Sequence, residues 1–196
     1  MGQFARLGKA LDKPSPRWHV FSFRYGGVRF FRVVDYFGLG ETSVADNRML
    51  DQQQVRDHID SVLKDCEQVF EKFFLAKFIG LNFEYLPENN DSADISVLKI
   101  TFDVNEMLMN PQGALHGGVM ATVMDISMGH LLNKTIGKGA TIEMKIQYLR
   151  PVREGTVTCE GRFIKKGRTL SFMESRLSDQ AGKLAAVATA TWKMPN

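Results

Sequence analysis

The sequence is poor in cysteine: its 196 residues include only two, Cys66 and Cys159, about ninety positions apart. This spacing matches no zinc motif and provides no disulfide framework, so we expect a reducing compartment, the cytoplasm in the first instance. The chain also lacks any run of about 18 uncharged apolar residues, which excludes a membrane-spanning helix. Its net charge of +3 is too small to indicate nucleic-acid binding.

Common catalytic signatures are missing as well. The sequence contains no glycine-rich phosphate loop, no Ser-His-Asp elbow and no His or Cys cluster with the spacing of metal ligands. The lack of these motifs favours a reaction that needs neither a metal ion nor a cofactor.

Charge is distributed unevenly along the chain. Residues 1–34 carry seven basic groups against the single acid Asp12, a net +6, whereas the remaining 162 residues carry 18 basic and 21 acidic groups, a net −3. Eight aromatic residues also fall between positions 18 and 37. We therefore predict that residues 1–48 form a dispensable basic, aromatic extension and residues 49–196 the main domain. A mitochondrial transit peptide or a segment lying on a membrane surface remain alternatives for this extension.

Hydrophobic periodicity predicts the first elements of the main domain. Apolar residues recur at three- and four-residue steps from Asp51 to Phe74, which indicates a helix capped by Asp51. Alternation in residues 81–85 and 93–104 predicts a β-hairpin joined by a turn at 88–92.

The second half of the chain has a different pattern. A loop over 105–115 precedes residues 117–132, which are apolar nearly all round and predict a helix buried on every side. Further strands are expected near 140–150, 155–166, 168–178 and 183–194. This order predicts an α+β fold in which an antiparallel sheet wraps around one central helix.

Asp125 is the sharpest chemical feature, because it lies midway along the most apolar helix. A buried carboxylate is costly without a partner or a task. Upstream, His116, Gly117 and Gly118 lead into the helix, where free N–H groups at the positive end of the dipole suit a developing oxyanion. Asn110 adds a side-chain donor. In the structural alternatives, Asp125 only faces polar groups of a neighbouring element, and Gly117 and Gly118 only permit a turn.

The run from Asn110 to Asp125, Asn-Pro-Gln-Gly-Ala-Leu-His-Gly-Gly-Val-Met-Ala-Thr-Val-Met-Asp, resembles the hotdog-fold acyl-CoA thioesterases of the phenylacetate-degradation type and the related eukaryotic thioesterases. Residues 141–155 are similar to the family's third strand, and the resemblance covers roughly residues 70–196. It implies a curved antiparallel sheet around one long helix, and hydrolysis of an acyl-CoA to a free acid and CoA.

The resemblance also implies roles for five residues. Asp125 would be the catalytic base or nucleophile, and the Gly117 N–H would be the oxyanion donor. Asn110 would lie near the thioester carbonyl, and His116 would shape the turn. Thr141 stands where some members have a serine that orients the attacking water.

The phosphates of CoA require basic groups. Candidates near strand ends or turns, for which a solvated basic edge is the alternative, are Arg150, Arg153, Lys165, Lys166 and Arg168. We also expect Gly118 to contact the substrate.

Helix geometry predicts that the sites are shared between subunits. Gly117 and Asp125 are eight residues apart, about 12 Å along one helix, and an Asp side chain is too short to close that gap. Two antiparallel helices in a homodimer would bring one subunit's Gly117 to the other's Asp125. The resemblance implies the same dimer, often paired into a tetramer.

Other functions remain as alternatives. A non-catalytic acyl-CoA-binding hotdog module is disfavoured because a binding module has no use for a buried base. A hotdog hydratase or dehydratase would require a His and an acid poised over the substrate, an arrangement that the sequence does not suggest. His130, five residues after Asp125, is expected to be a hydrogen-bonded core histidine.

Overall fold

The computed structural model describes the chain in four ranges, 19–25, 28–34, 50–87 and 94–194. The chain divides into two compact units, Met1–Val44 and Ala45–Asn196. In the first unit, β1 (His19–Tyr25) and β2 (Val28–Val34) form an antiparallel two-stranded sheet. The predicted domain boundary between residues 48 and 49 stays a prediction.

The described part of the second unit consists of one antiparallel sheet, three α-helices and a 3-10 turn. Its elements in chain order are α1 (Gln52–Asp65), α2 (Phe74–Ile79), β3 (Asn82–Pro87), β4 (Ile95–Asp103), the 3-10 turn Glu106–Leu108, α3 (Gly117–Thr135), β5 (Ala140–Tyr148), β6 (Thr156–Lys165), β7 (Leu170–Ser178) and β8 (Leu184–Lys193). The sheet order is β3-β4-β6-β7-β8-β5, and α3 packs against β4, β5, β6 and β7. The predicted α+β hotdog architecture is confirmed. None of the helices in these ranges is long and apolar enough to cross a bilayer.

The start of α1 agrees with the capping signal in the sequence. The carboxylate of Asp51 accepts hydrogen bonds from the backbone N–H groups of Gln53 at 2.8 Å and Gln54 at 3.4 Å. These bonds satisfy donors that have no partner within the first helical turn.

The predicted continuation of this helix to Phe74 is wrong. α1 ends at Asp65, and residues 66–73 form a compact turn before α2 begins. Within this 66–73 segment, Phe70 packs against His130 of α3. Two of the apolar residues that suggested a longer helix, Phe70 and Phe73, thus contact α3 from a non-helical backbone. The turn predicted at 88–92 lies outside the described residues.

α3 is buried against the inner face of the sheet. Fully buried side chains of α3 and of the strands that cover it include Leu98, Ile100, Phe102, Met124, Met128, Leu131, Met173 and Leu177. Burying each such side chain contributes roughly 1.5–3 kcal/mol to the free energy of folding relative to full exposure. The contact between α3 and the sheet therefore dominates the core.

The prediction that α3 is buried on every side is wrong along one face. Five residues that recur at three- or four-residue steps keep partial or full exposure, and we call them the open stripe: Gly118, Thr122, Asp125, Gly129 and Asn133. The only carboxylate in α3 thus lies where the sheet does not cover the helix.

α3 lies directly on β6 at Gly161. A Cβ on Gly161 would lie 2.6 Å from the backbone oxygen of Ser127. The Ser127 hydroxyl donates to the Met124 carbonyl at 2.7 Å and lies 2.8 Å from the Ser175 hydroxyl, which in turn lies 3.2 Å from Cys159 Sγ. Burial raises the pKa of Cys159 to about 11, so this thiol stays protonated at neutral pH.

We predict that Gly161→Ala lowers the free energy of unfolding by about 1–3 kcal/mol, because the added methyl group would displace the α3 backbone. The same change in a strand with free space would stabilise the protein slightly. Urea unfolding measures the difference. Arg176→Ala, at an exposed position of β7, is the control and should shift stability by less than about 0.5 kcal/mol. If Gly161→Ala unfolds at the same urea midpoint as the wild type, the close contact between Gly161 and Ser127 is contradicted.

Candidate active site

His116 is the N-cap of α3. Its Nδ1 accepts a hydrogen bond from the Gly118 N–H at 2.9 Å. A Cβ on Gly118 would lie 3.2 Å from this Nδ1, which is tighter than an ordinary contact. Glycine at this position therefore allows the cap to close.

The backbone of Gly117 offers one free donor. Its carbonyl accepts a hydrogen bond from the Tyr148 hydroxyl at 2.9 Å. Its N–H has no acceptor among the described residues and lies at the positive end of α3. A free amide in this position can stabilise an oxyanion. Sequence reasoning missed Tyr148, which ends β5 and has no distinguishing motif.

Asn110 organises the loop before α3. Its Oδ1 accepts hydrogen bonds from the N–H groups of Gln112 at 2.9 Å and Ala114 at 3.3 Å. Arg153 braces the same loop by donating to the carbonyls of Gln112 and Gly113. The Asn110 oxygen is therefore occupied by the loop, while its Nδ2 group can still donate to a ligand. Arg153, in contrast, uses hydrogen-bond donors for the protein backbone.

Asp125 is half-buried in the open stripe and pairs with Thr141. Its Oδ1 accepts a hydrogen bond from the Thr141 hydroxyl at 3.0 Å. A register shift between Thr141 and Glu143 interrupts the pairing of β5 with β8 at this point, and such bulges redirect side chains. Burial raises the pKa of Asp125, and the Thr141 hydrogen bond opposes that rise. A carboxylate with a raised pKa is a stronger base than a solvated one.

A cavity of about 350 Å³ lies beside Asp125. A Cβ on Gly129 would lie 2.6 Å from the Trp192 ring, so glycine leaves room for this ring against α3. Of the residues that line this cavity, the sequence predicted only Asp125 as part of the site. The lining residues are Phe70, Asp125, Ile126, Gly129, His130, Asn133, Lys138, Gly139 and Trp192. Phe70 and Trp192 come from distant parts of the chain, so no local pattern marked them.

His130 forms the aromatic part of this cavity. Its ring stacks on Phe83, meets Phe70 edge-on and lies at a tilt to Phe73. Burial lowers the pKa of His130 to about 4, so the ring is neutral at pH 7. The residue is a core histidine as expected, but the expected hydrogen bond is wrong: Nδ1 is buried without a partner in the described part of the chain.

Two of the basic residues considered for phosphate binding lie away from Gly117. Lys166 and Arg168 border a surface cavity of about 370 Å³ together with Ile136, which follows the last residue of α3. Nineteen residues, or about 28 Å of helix, separate Ile136 from Gly117. The remaining exposed candidates are Arg150 and Lys165.

Comparison with known proteins identifies the family. Residues 112–186 match the model of the thioesterase superfamily. Over 137 residues the chain is 33% identical to a protein of Saccharolobus solfataricus named "Putative esterase SSO1253", and the alignment covers 68% of this chain and 81% of that protein. The chain belongs to the thioesterase superfamily. The family resemblance of the Asn110–Asp125 run is thereby confirmed, and membership supports a hydrolase that acts on thioesters.

Two further proteins are similar to this member of the thioesterase superfamily. Acyl-coenzyme A thioesterase 13 of Homo sapiens is 33% identical over 97 residues, which are 47% of this chain and 69% of that protein. The BH2602 protein from Bacillus halodurans, solved with CoA, has a TM-score of 0.64 at 18% identity and covers 77% of this chain and 97% of that one. The second likeness shows the fold.

We predict that Thr141→Val raises the pKa of Asp125 further, because the variant loses the hydroxyl that stabilises the ionised carboxylate. The carboxyl group then stays protonated to a higher pH. The carboxyl carbon shift of Asp125, followed by NMR against pH, measures this. Thr141→Ser keeps the donor and is the control. Identical titrations of Thr141→Val and wild type would mean that the hydrogen bond does not stabilise the charge.

Proposed function

We propose that this protein hydrolyses an acyl-CoA to a free carboxylic acid and CoA. The observation that carries the proposal is the Asp125–Thr141 pair, which borders a cavity on the face of α3 that the sheet leaves open. A thioester is a good electrophile with a good leaving group, so a positioned base and an oxyanion donor are sufficient. The name of the human relative and the CoA held by the Bacillus halodurans protein support this choice of thioester.

In this mechanism Asp125 removes a proton from a water molecule, whose oxygen attacks the thioester carbonyl carbon. The Gly117 N–H and the Asn110 Nδ2 group donate to the oxyanion that forms. The carbon–sulfur bond then breaks, and CoA leaves as a thiolate that takes up the proton. Thr141 orients the Asp125 carboxylate. Direct attack by Asp125, giving an anhydride that water opens, is the alternative, and ¹⁸O from labelled water would enter Asp125 only in that case.

We propose that each site is completed by a second copy of the chain. Gly117 and Asp125 are eight residues apart on α3, about 12 Å along the helix. β5 is an edge strand, and exposed apolar side chains at Ile142, Tyr148 and Leu149 lie on or next to it. An edge of this kind is suited to pairing with another copy. Pairing of such dimers into tetramers rests on the family resemblance.

Four exposed basic residues are candidates for binding the phosphates of CoA. Lys166 and Arg168 share one surface cavity with Ile136, eleven residues or about 16 Å from Asp125 along the helix. Arg150 and Lys165 are further candidates, and Gly118 is assigned to the substrate at the helix N-terminus. This arrangement would hold the charged end of CoA apart from the reacting carbonyl.

We predict that Asp125→Asn lowers kcat for acyl-CoA hydrolysis at least about 100-fold, the effect of losing a positioned base. Thiol release from a panel of short, long and aromatic acyl-CoAs measures the rate. Asp103→Asn is the matched control, because Asp103 accepts a hydrogen bond from the Thr156 hydroxyl in a similar pair far along the sheet. Wild-type kcat in a folded Asp125→Asn protein would assign the chemistry to another residue. If the wild-type protein binds acyl-CoA but releases no thiol, the non-catalytic alternative is favoured.

We predict that two inactive variants complement each other. Asp125→Asn loses the base, and Asn110→Asp loses the Nδ2 donor while keeping the oxygen that holds the loop. After subunit exchange at equal concentrations, half of the dimers are mixed and each has one intact site, so about one quarter of the wild-type activity per subunit should return. No recovery after proven exchange, or a fully active monomer in sedimentation, would contradict shared sites.

A further inference from the structure

We infer that the cavity beside Asp125 is the acyl pocket, and that Phe70 in the 66–73 segment limits the length of the uncharged acyl chain that it accepts. This inference rests on the proposed hydrolysis at Asp125 and adds the class of acyl group to it. It concerns a part of the chain that precedes residues 112–186, the part that matches the family.

The cavity runs along α3, away from the candidate base. Its lining residues on the helix are Asp125, Ile126, Gly129, His130 and Asn133, which span eight residues or about 12 Å. At Gly129 the Trp192 ring packs directly against the helix and forms one wall of the groove that the cavity makes along α3. A groove of this length beside the reacting carbonyl is suited to a chain attached to that carbonyl.

The buried part of the lining is uncharged and mostly aromatic. His130 and Trp192 are 7% and 5% exposed, and His130 is neutral at pH 7. Lys138 supplies the positive charge of this lining and is exposed. A second carboxylate on the acyl chain would lose its hydration among these rings without gaining a buried cation. The pocket therefore selects uncharged aliphatic or aromatic acyl groups.

Phe70 covers this groove part-way along its length. Its ring meets His130 edge-on, with 4.7 Å between the ring centroids, and is itself 46% exposed. His130 is five residues beyond Asp125, about 7.5 Å along α3. A cavity of about 350 Å³ holds on the order of ten groups the size of a water molecule. Longer chains must therefore displace Phe70 or bend out to solvent.

The 66–73 segment holds Phe70 in this position through contacts of its own. The Glu67 N–H donates to the Lys72 carbonyl at 2.9 Å, and the two side chains form an ion pair at 3.3 Å. Glu71 has a left-handed backbone, with φ of 75°, which is uncommon for a residue with a side chain. Its carboxylate accepts a hydrogen bond from the Tyr85 hydroxyl at 2.7 Å, which ties the segment to β3.

The test measures binding of two CoA thioethers, S-hexyl-CoA and S-dodecyl-CoA, to the full chain by calorimetry. We expect Phe70→Ala to improve dodecyl binding relative to hexyl binding about tenfold, the size of effect typical of a reshaped apolar pocket. Phe70→Trp should change the ratio in the opposite direction. Phe74→Ala is the matched control, because Phe74 is 40% exposed, stacks on Phe78 and does not line the cavity. Its ratio should stay at the wild-type value.

Since thioethers are not hydrolysed, the result does not depend on turnover. An unchanged ratio in Phe70→Ala, a shift toward the hexyl compound, or no thioether binding to the wild type would overturn the inference, even if Asp125→Asn abolishes hydrolysis. Conversely, the expected shift in a wild-type protein that cleaves no acyl-CoA would support the pocket and contradict the proposed function. Circular dichroism of each variant confirms that it is folded.

Discussion

At Gly161 the backbone of α3 lies directly on β6, and this contact between helix and sheet fixes the helix that carries Gly117 and Asp125. Because α3 is apolar on most of its surface, covering it removes a large apolar area from water and stabilises the fold. Strands β4, β6 and β7 provide this cover. The face that they leave carries Asp125. The carboxylate is therefore held at the boundary between core and solvent, where burial raises its pKa while substrate can still reach it.

The polar groups of α3 fall into two classes with different consequences. Ser127 is buried with its hydroxyl fully engaged by Met124 and Ser175, so it strengthens the core at no cost in unpaired donors. The Gly117 N–H and His130 Nδ1 have no partner among the described residues. The Gly117 N–H lies at the start of α3, whereas His130 borders the cavity. An unpaired group costs stability, so its persistence beside a candidate site is consistent with a use there.

The candidate catalytic residues and the residue proposed to limit the acyl chain lie in different stretches of the chain. The stretch that matches the thioesterase superfamily, residues 112–186, contains Gly117, Asp125 and Thr141. Phe70, by contrast, lies on a turn upstream of that stretch and lines the cavity from there, and the hydrogen bond between Tyr85 and Glu71 ties this turn to β3. Such a division would allow relatives to keep one reaction while changing the acyl group.

The cap at Asp51, the order of the six strands around α3 and the position of Asp125 on an apolar helix were predictable from the sequence, because capping and periodicity act over a few neighbouring residues. The family was predictable as well. The end of α1 at Asp65, the hydrogen bond from the Thr141 hydroxyl to Asp125 and the contact of Phe70 with the cavity beside the open stripe are seen only in the folded chain. These features arise from contacts between distant segments, whose energies a local pattern does not contain.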